Sequence, residues 1–304
     1  MSIEAVGLGE VLWDVFPHEA HFGGAPANFA AHCAHLRAHA YVVSRVGRDE
    51  LGEKAKGHME DNGIDQSYLQ WDDQHPTGTV DVQLSDQGKA TYQFADDTAW
   101  DHLQWKSSLV DLALRCHVVC FGTLGQRNPI ARQTIRQFVE ATQESCLRVF
   151  DVNLRQEFYD SEIIRHSLQM ANAFKLNDEE LPIVLRLCGM PVADDTYQPD
   201  SEETRQAARA LMDRFQLRWM TVTAGSSGAT LFYGDQIFHQ TAPKAEVVDT
   251  VGAGDSFTAT LVCDLLREVP PEKSLAHAID VAGFVCTRSG ATPSLPEELR
   301  RLPT

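Results

Sequence analysis

Residues 249–257 read DTVGAGDSF, with three small residues, Gly252, Ala253 and Gly254, set ahead of Asp255 and a run of helical spacing. Small side chains let main-chain N–H groups approach a ligand, and a helix N-terminus adds unpaired N–H groups and partial positive charge. This is a place built for an anion. Asp255 puts a negative charge beside it, and two roles account for that. An aspartate here can cap the helix, or it can take a proton from a hydroxyl attacking a phosphoryl group held by those amides. A second glycine-rich turn, TAGSSGAT with Thr223, Gly225 and Gly228, also follows a strand-like run, where open α/β sheets place their ligands.

Other phosphate loops are excluded. No GxxxxGK[ST] occurs, and the GLGEVL that begins a dinucleotide fingerprint at Gly7 and Gly9 fails at Leu12. The segment HCAHLRAH sets His32, His35 and His39 at helical spacing, a pattern that can ligate zinc. No carboxylate pair or cysteine cluster accompanies them, so they read as a partly exposed histidine face.

The elements that must carry these residues alternate regularly. The apolar, β-branched runs IEAVGL, AYVVSRV, HVVCFGT, CLRVFDVN, AFKLN and WMTVTAG predict strands. Between and after them, residues 26–38, 50–62, 129–143, 178–189, 202–215, 254–268 and 272–288 have helical apolar spacing. Strands separated by helical lengths imply right-handed βαβ units, hence a three-layer α/β/α fold around a mostly parallel sheet. TGTVDVQLSDQGKATYQF breaks the rhythm: it alternates, turns at SDQGK and returns, as an antiparallel hairpin does. It is expected to stand off as a small β lid, from about 12–24 and 76–98, paired with VLWDVFP and HEAHFGG. The acidic stretch 192–203 reads as a surface loop.

Composition narrows the function. With 26 basic and 43 acidic residues among 304, the net charge is −17, which leaves no basic stripe for a nucleic-acid backbone. No apolar run approaches the ~18 residues of a membrane span, and the acidic N-terminus lacks a basic leader, so a soluble, cytoplasmic protein is expected. The seven cysteines are scattered among apolar residues and read as reduced core thiols.

Taken together, DTVGAGDSF and GGAPANFA (residues 23–30) resemble the two signature regions of the ribokinase/PfkB family of sugar kinases. KLNDEE, TAGSSGA and SGATPSLP follow in that family's order over nearly the whole chain. The resemblance implies a single ribokinase-like domain over 1–304 that transfers phosphate from ATP to a sugar hydroxyl. In it Asp255 is the general base, and Gly252, Ala253 and Gly254 form the anion hole. It further implies that Asp14, Gly23, Gly24 and Asn28 hold sugar hydroxyls, with Phe94 covering the sugar. Asn177 and Glu180 would organise Mg2+ through water; Thr223, Gly225, Gly228 and Cys286 would flank the nucleotide. Asp249 and the main chain of Val251 resemble a monovalent-cation site for K+. FDVNLR, with Asn153 and Arg155, is similar to fructokinases and to 2-keto-3-deoxygluconate kinases; Arg155 either orients a sugar oxygen, binds an acid sugar's carboxylate, or makes a structural ion pair. GGAPAN, GEVLWDVFP and FGTLGQRNP look most like bacterial fructokinases. Fructose is therefore the expected substrate, with 2-keto-3-deoxygluconate, ribose or a nucleoside as same-class alternatives and a non-catalytic sugar-binding regulator as the other class. A homodimer through the lid is compatible with an exposed sheet edge.

Overall fold

The computed structural model describes residues 2–16, 19–84, 90–192 and 201–303; for residues 83, 84, 90 and 91 it describes the backbone only. The SDQGK turn and positions 193–200 of the acidic stretch lie outside the described residues.

The chain opens with β1 (Glu4–Leu8), β2 (Leu12–Val15), β3 (Ala20–Gly23), α1 (Ala25–His35), β4 (His39–Val43), β5 (Arg45–Gly47) and α2 (Glu50–Asp61). It continues through β6 (Gln70–Asp72), β7 (Gly78–Leu84), β8 (Ala90–Phe94), α3 (Ser107–Arg115), β9 (Val118–Phe121), α4 (Pro129–Glu140) and β10 (Leu147–Asp151). Next come α5 (Ser161–Met170), β11 (Ala173–Asn177), α6 (Glu180–Leu187), α7 (Glu202–Phe215), β12 (Trp219–Thr223), β13 (Ala229–Tyr233) and β14 (Gln236–Gln240). The last elements are α8 (Ala253–Leu266), α9 (Pro271–Cys286) and α10 (Glu297–Arg300).

The main sheet has eight strands in the order β14-β13-β12-β11-β10-β9-β1-β4. From β12 to β4 all neighbours are parallel. Strands covered on both faces must be apolar throughout, which is why they read as unbroken runs. Phe29 of α1, Phe257 and Leu261 of α8 and Ile279 of α9 pack on one face of the sheet. On the other face, Leu112 of α3, Phe138 of α4, Ile164 of α5, Leu181 of α6 and Leu211 of α7 surround Phe121, Phe150 and Phe174. This is the expected three-layer α/β/α arrangement. Helix α1 lies directly on β1: a Cβ at Gly7 would come within 1.9 Å of the Pro26 carbonyl oxygen, so only glycine permits that approach.

A separate four-stranded sheet, β3-β2-β7-β8, is the small lid, with β2 and β7 parallel and the two outer pairs antiparallel. Three features depart from the sequence expectation. AYVVSRV splits, its second half leaving the main sheet to pair as β5 with β6. β13 and β14 extend the main sheet as an antiparallel ribbon. Helices α3 and α5 were not expected either. Among the described residues no helix is long and apolar enough to cross a membrane.

Candidate active site

The loop before α8 is held by sterics. Gly252 has φ 78°, and a Cβ there would lie 2.3 Å from the Ala291 carbonyl oxygen, so any other residue is strained and also clashes. The Ala253 amide donates to the Thr250 carbonyl at 3.3 Å, and the Ser256 amide to the Gly252 carbonyl at 2.8 Å. Ala253 of the expected anion hole is thus already engaged, while the amides of Gly252, Gly254 and Asp255 at the helix N-terminus make no such backbone bond. Lys175 lies close beneath them: a Cβ on Gly254 would fall 2.9 Å from its Nζ. The Lys175 ammonium is buried in β11, donates to Asp151 Oδ1 at 3.1 Å, and is opposed in that pair by Thr258, whose hydroxyl donates to Asp151 Oδ2 at 3.0 Å. Burial alone would lower the Lys175 pKa, but the charges of Asp151, Glu180 and Asp255 outweigh it and raise it.

Asp255 is the third residue of α8, and Gly252 takes the N-cap position, so Asp255 is not the cap. Its Oδ2 instead accepts a 2.8 Å hydrogen bond from Asn28 Nδ2 at the start of α1. Burial first, and then the charge of Asp151, push the Asp255 carboxyl up to about 6, against the Asn28 bond and the charges of Lys175 and Arg155. Asn28 Oδ1 is buried without a partner, an acceptor free for a ligand hydroxyl. Glu10, after the end of β1, is buried with Oε2 unpartnered, and burial, helped by the charge of Asp255, pushes it up to about 7. Glu10, Phe29, Thr123, Asp151, Asn153 and Asp255 line one cleft. An ionisable carboxyl, an orphaned acceptor and a buried cation thus lie near the N-terminal end of α8.

The remaining candidates sort by position. Asp14 sits on β2 of the lid, with Oδ2 3.2 Å from where a Gly23 Cβ would be; burial raises its pKa and Arg155 opposes. Gly24 has φ 110°, and a Cβ there would meet the Glu10 carbonyl oxygen at 2.6 Å. Asn153 has φ 40° and faces the cleft. Arg155 is exposed, and its charge acts on Glu10, Asp14 and Asp255 together. Phe94 packs edge-on against Phe158 at 5.5 Å, beside the Leu12, Val80, Trp100 and Leu124 cluster.

Asn177 and Glu180 form a reciprocal pair. Asn177 Oδ1 accepts from the Glu180 amide and Glu180 Oε2 from the Asn177 amide, both at 2.8 Å, while Glu180 Oε1 accepts from the Leu154 amide. Glu180 is buried with both oxygens engaged, which suits a role through water better than direct metal ligation. Thr223 ends β12, and Gly225 (φ 49°) and Gly228 (φ 91°) shape the turn after it. The Cys286 carbonyl accepts from the Val248 and Asp249 amides, and Asp249 accepts from the amides of Val251 (Oδ1, 3.0 Å) and Gly290 (Oδ2, 3.1 Å). These bonds tie the loop before α8 to the chain after α9.

The histidine segment is corrected. His32 is fully buried, donates from Nε2 to the Ala291 carbonyl at 2.9 Å and is pushed down to about 4 by burial, while His39 opens β4 and pairs with Asp65. The three do not form one face because α1 ends at His35. Glu10 and Lys175 were not expected as site residues. The only signal for Lys175 was a lysine inside a run apolar enough to be buried, which lysine rarely is without a partner.

Residues 8–298 match the pfkB family carbohydrate kinase. The fructokinase of Salmonella typhimurium is 28% identical over 97% of each chain. The crystal structure of 2-dehydro-3-deoxygluconokinase from Thermotoga maritima superposes with a TM-score of 0.85 at 17% identity, covering 99% of this chain and 97% of that one. The fructokinase of Vibrio cholerae O395, in its fructose, ADP and calcium ion bound form, does so with a TM-score of 0.76 at 24% identity, covering 97% and 96%. At these identities the structural likeness establishes the ribokinase-like fold, and the match across almost the entire length goes further: the chain belongs to the pfkB family of carbohydrate kinases.

Proposed function

We propose that this protein transfers the terminal phosphoryl group of ATP to a hydroxyl of fructose. The observation that carries the reading is Asp255: a carboxylate oriented by Asn28, pushed up to about 6, at the N-terminus of α8 and lining the same cleft as Glu10 and Asn153. A sugar hydroxyl attacks phosphorus well only if its proton has an acceptor. Asp255 takes that proton as the new P–O bond forms and the bond to the ADP oxygen breaks, and later loses it to water. The Gly254 and Asp255 amides, with Lys175 beneath them, stabilise the charge on the transferring group. Asn28 Oδ1 and Asp14 accept from the sugar, while Gly23 and Gly24 leave room for it.

ATP is expected along the Thr223, Gly225 and Gly228 turn and by Cys286. A divalent Mg2+ would neutralise the phosphate oxygens, and Asn177 and Glu180 would hold it through water. Asp249 and the Val251 carbonyl would serve K+, so replacing K+ by tetramethylammonium is expected to lower turnover. The lid, 12–24 with 76–98, would close over the sugar within one domain, excluding water as a competing acceptor.

Fructose is favoured because the fructokinases of Salmonella typhimurium, Escherichia coli and Klebsiella pneumoniae each align with 97% of this chain. The acid-sugar reading has one observation behind it, the exposed Arg155 whose charge reaches the sugar end. The deciding experiment is ADP formation with Mg-ATP and fructose, ribose, 2-keto-3-deoxygluconate and adenosine, with Asp255→Asn as control. Turnover on fructose that is lost in the control is expected. Preference for the keto acid would reassign the substrate, and silence across the panel would point to a regulator.

A further inference from the structure

His75, Asp97 and His102 meet outside the active site, at the stem of the lid, and their ligand atoms lie within 4.8 Å of one another. His75 comes from the loop before β7, Asp97 from the loop after β8, and His102 from a 3-10 turn, Ala99–His102. The two imidazoles stack at 3.6 Å, almost parallel, over a carboxylate that presents one oxygen to each: His102 Nε2 to Oδ1 at 2.7 Å and His75 Nε2 to Oδ2 at 3.9 Å.

The surroundings orient this cluster. Asp72 is almost fully buried, and its Oδ2 lies 3.0 Å from His75 Nδ1 and 2.9 Å from Arg45 Nε, while its Oδ1 accepts the Gln74 and His75 amides. The Asp72 carboxylate thus holds the Nδ1 edge of His75 and directs its Nε2 toward Asp97. Carboxylate to imidazole Nδ1 to metal is also the usual way a ligating histidine is fixed. Arg45 reaches the other ligand too, donating from Nη1 to the His102 carbonyl at 2.7 Å.

We propose that His75, His102 and Asp97 bind a divalent transition-metal ion of the zinc class, through both Nε2 atoms and the Asp97 carboxylate, with water completing the shell. Imidazole with carboxylate suits zinc better than the oxygen-seeking magnesium used with ATP. The ion would join the two strands of lid stem, which reach it from the segments on either side of the β7 and β8 hairpin, to the 3-10 turn.

The test is calorimetric titration of chelator-stripped protein with Zn2+ near neutral pH, without nucleotide or sugar, so it stands or falls apart from the kinase reading. His102→Gln and Asp97→Asn are titrated beside the wild type, with His239→Gln as a surface-histidine control. Asp97 is 70% exposed, so its variant is expected to fold, and melting of all metal-free samples checks this. Expected are a single site in wild type and control, an affinity lower by at least about 10-fold in either ligand variant, and a zinc-dependent rise in melting temperature that both lose. Equal zinc binding in wild type and both folded variants would overturn the proposal and assign the metal elsewhere, as would no zinc binding by the wild type.

Discussion

Replacing Asp255 by asparagine is expected to yield a protein that is inactive and more stable. The folded site holds this carboxyl at about 6 against an ordinary 3.8, chiefly through burial. A group whose pKa is raised on folding favours the folded state only while protonated. Its contribution is full below about 3.8 and is lost as pH rises through about 6. At about 1.4 kcal/mol for each tenfold change in proton affinity, the charged carboxylate costs the wild type at most about 3 kcal/mol at neutral pH. The residue is half-buried and solvent screens part of this, so about 1–2 kcal/mol is the working figure. Asparagine keeps an oxygen for the Asn28 bond and carries no charge at any pH. Urea unfolding of both proteins from about pH 4 to 8 should therefore give a stability difference near zero at the acid end, growing through pH 6 in favour of the variant. The same variant should lose about 10²–10⁴-fold in turnover. A stability difference that does not change with pH, or a variant less stable at pH 8, would refute the electrostatic reasoning even if activity were lost.

Two further expectations rest on the same cluster. Because the base must be ionised, kcat/KM for the sugar should rise with pH through about 6 and level off above it, and a profile flat from about pH 5 to 8 would exclude Asp255 as the titrating base. Lys175→Met should move that acid limb to higher pH, since Lys175 lowers the pKa of Asp255, and should cost about 3 kcal/mol of stability by leaving Asp151 buried with Thr258 alone; an unmoved limb in a folded variant would remove Lys175 from the electrostatics of the site.

What could be read from the chain alone follows from where the information resides. The six parallel strands were legible because burial on both faces leaves apolar runs no polar alternation to confuse them. β14 was missed for the opposite reason: QIFHQ is mostly exposed, so it carries little apolar signal, and it holds its place by pairing with β13. Gly252 and Asp255 were legible because backbone geometry and charge are both local properties. Glu10 was not. Its neighbours in the cleft, Thr123, Asn153 and Asp255, come from distant parts of the chain, and only the order of strands brings them to it. Lys175 was hidden in the same way, since its partner Asp151 lies on the next strand.

The hydrogen bond between Asn28 and Asp255 spans 227 positions in sequence, and β1 lies inside the sheet between β9 and β4. Such long-range closures are formed late, because the loop entropy must be overcome before the contact can offset it. During synthesis, then, Asn28 leaves the ribosome long before Asp255, the carboxylate it bonds, has been made. A nascent or prematurely terminated chain ending before α8 has Asn28 without Asp255 and lacks the N-terminus of that helix. Under the proposed mechanism, a fragment released by a stalled ribosome before α8 would therefore have no acceptor for the sugar's proton and would not transfer phosphate.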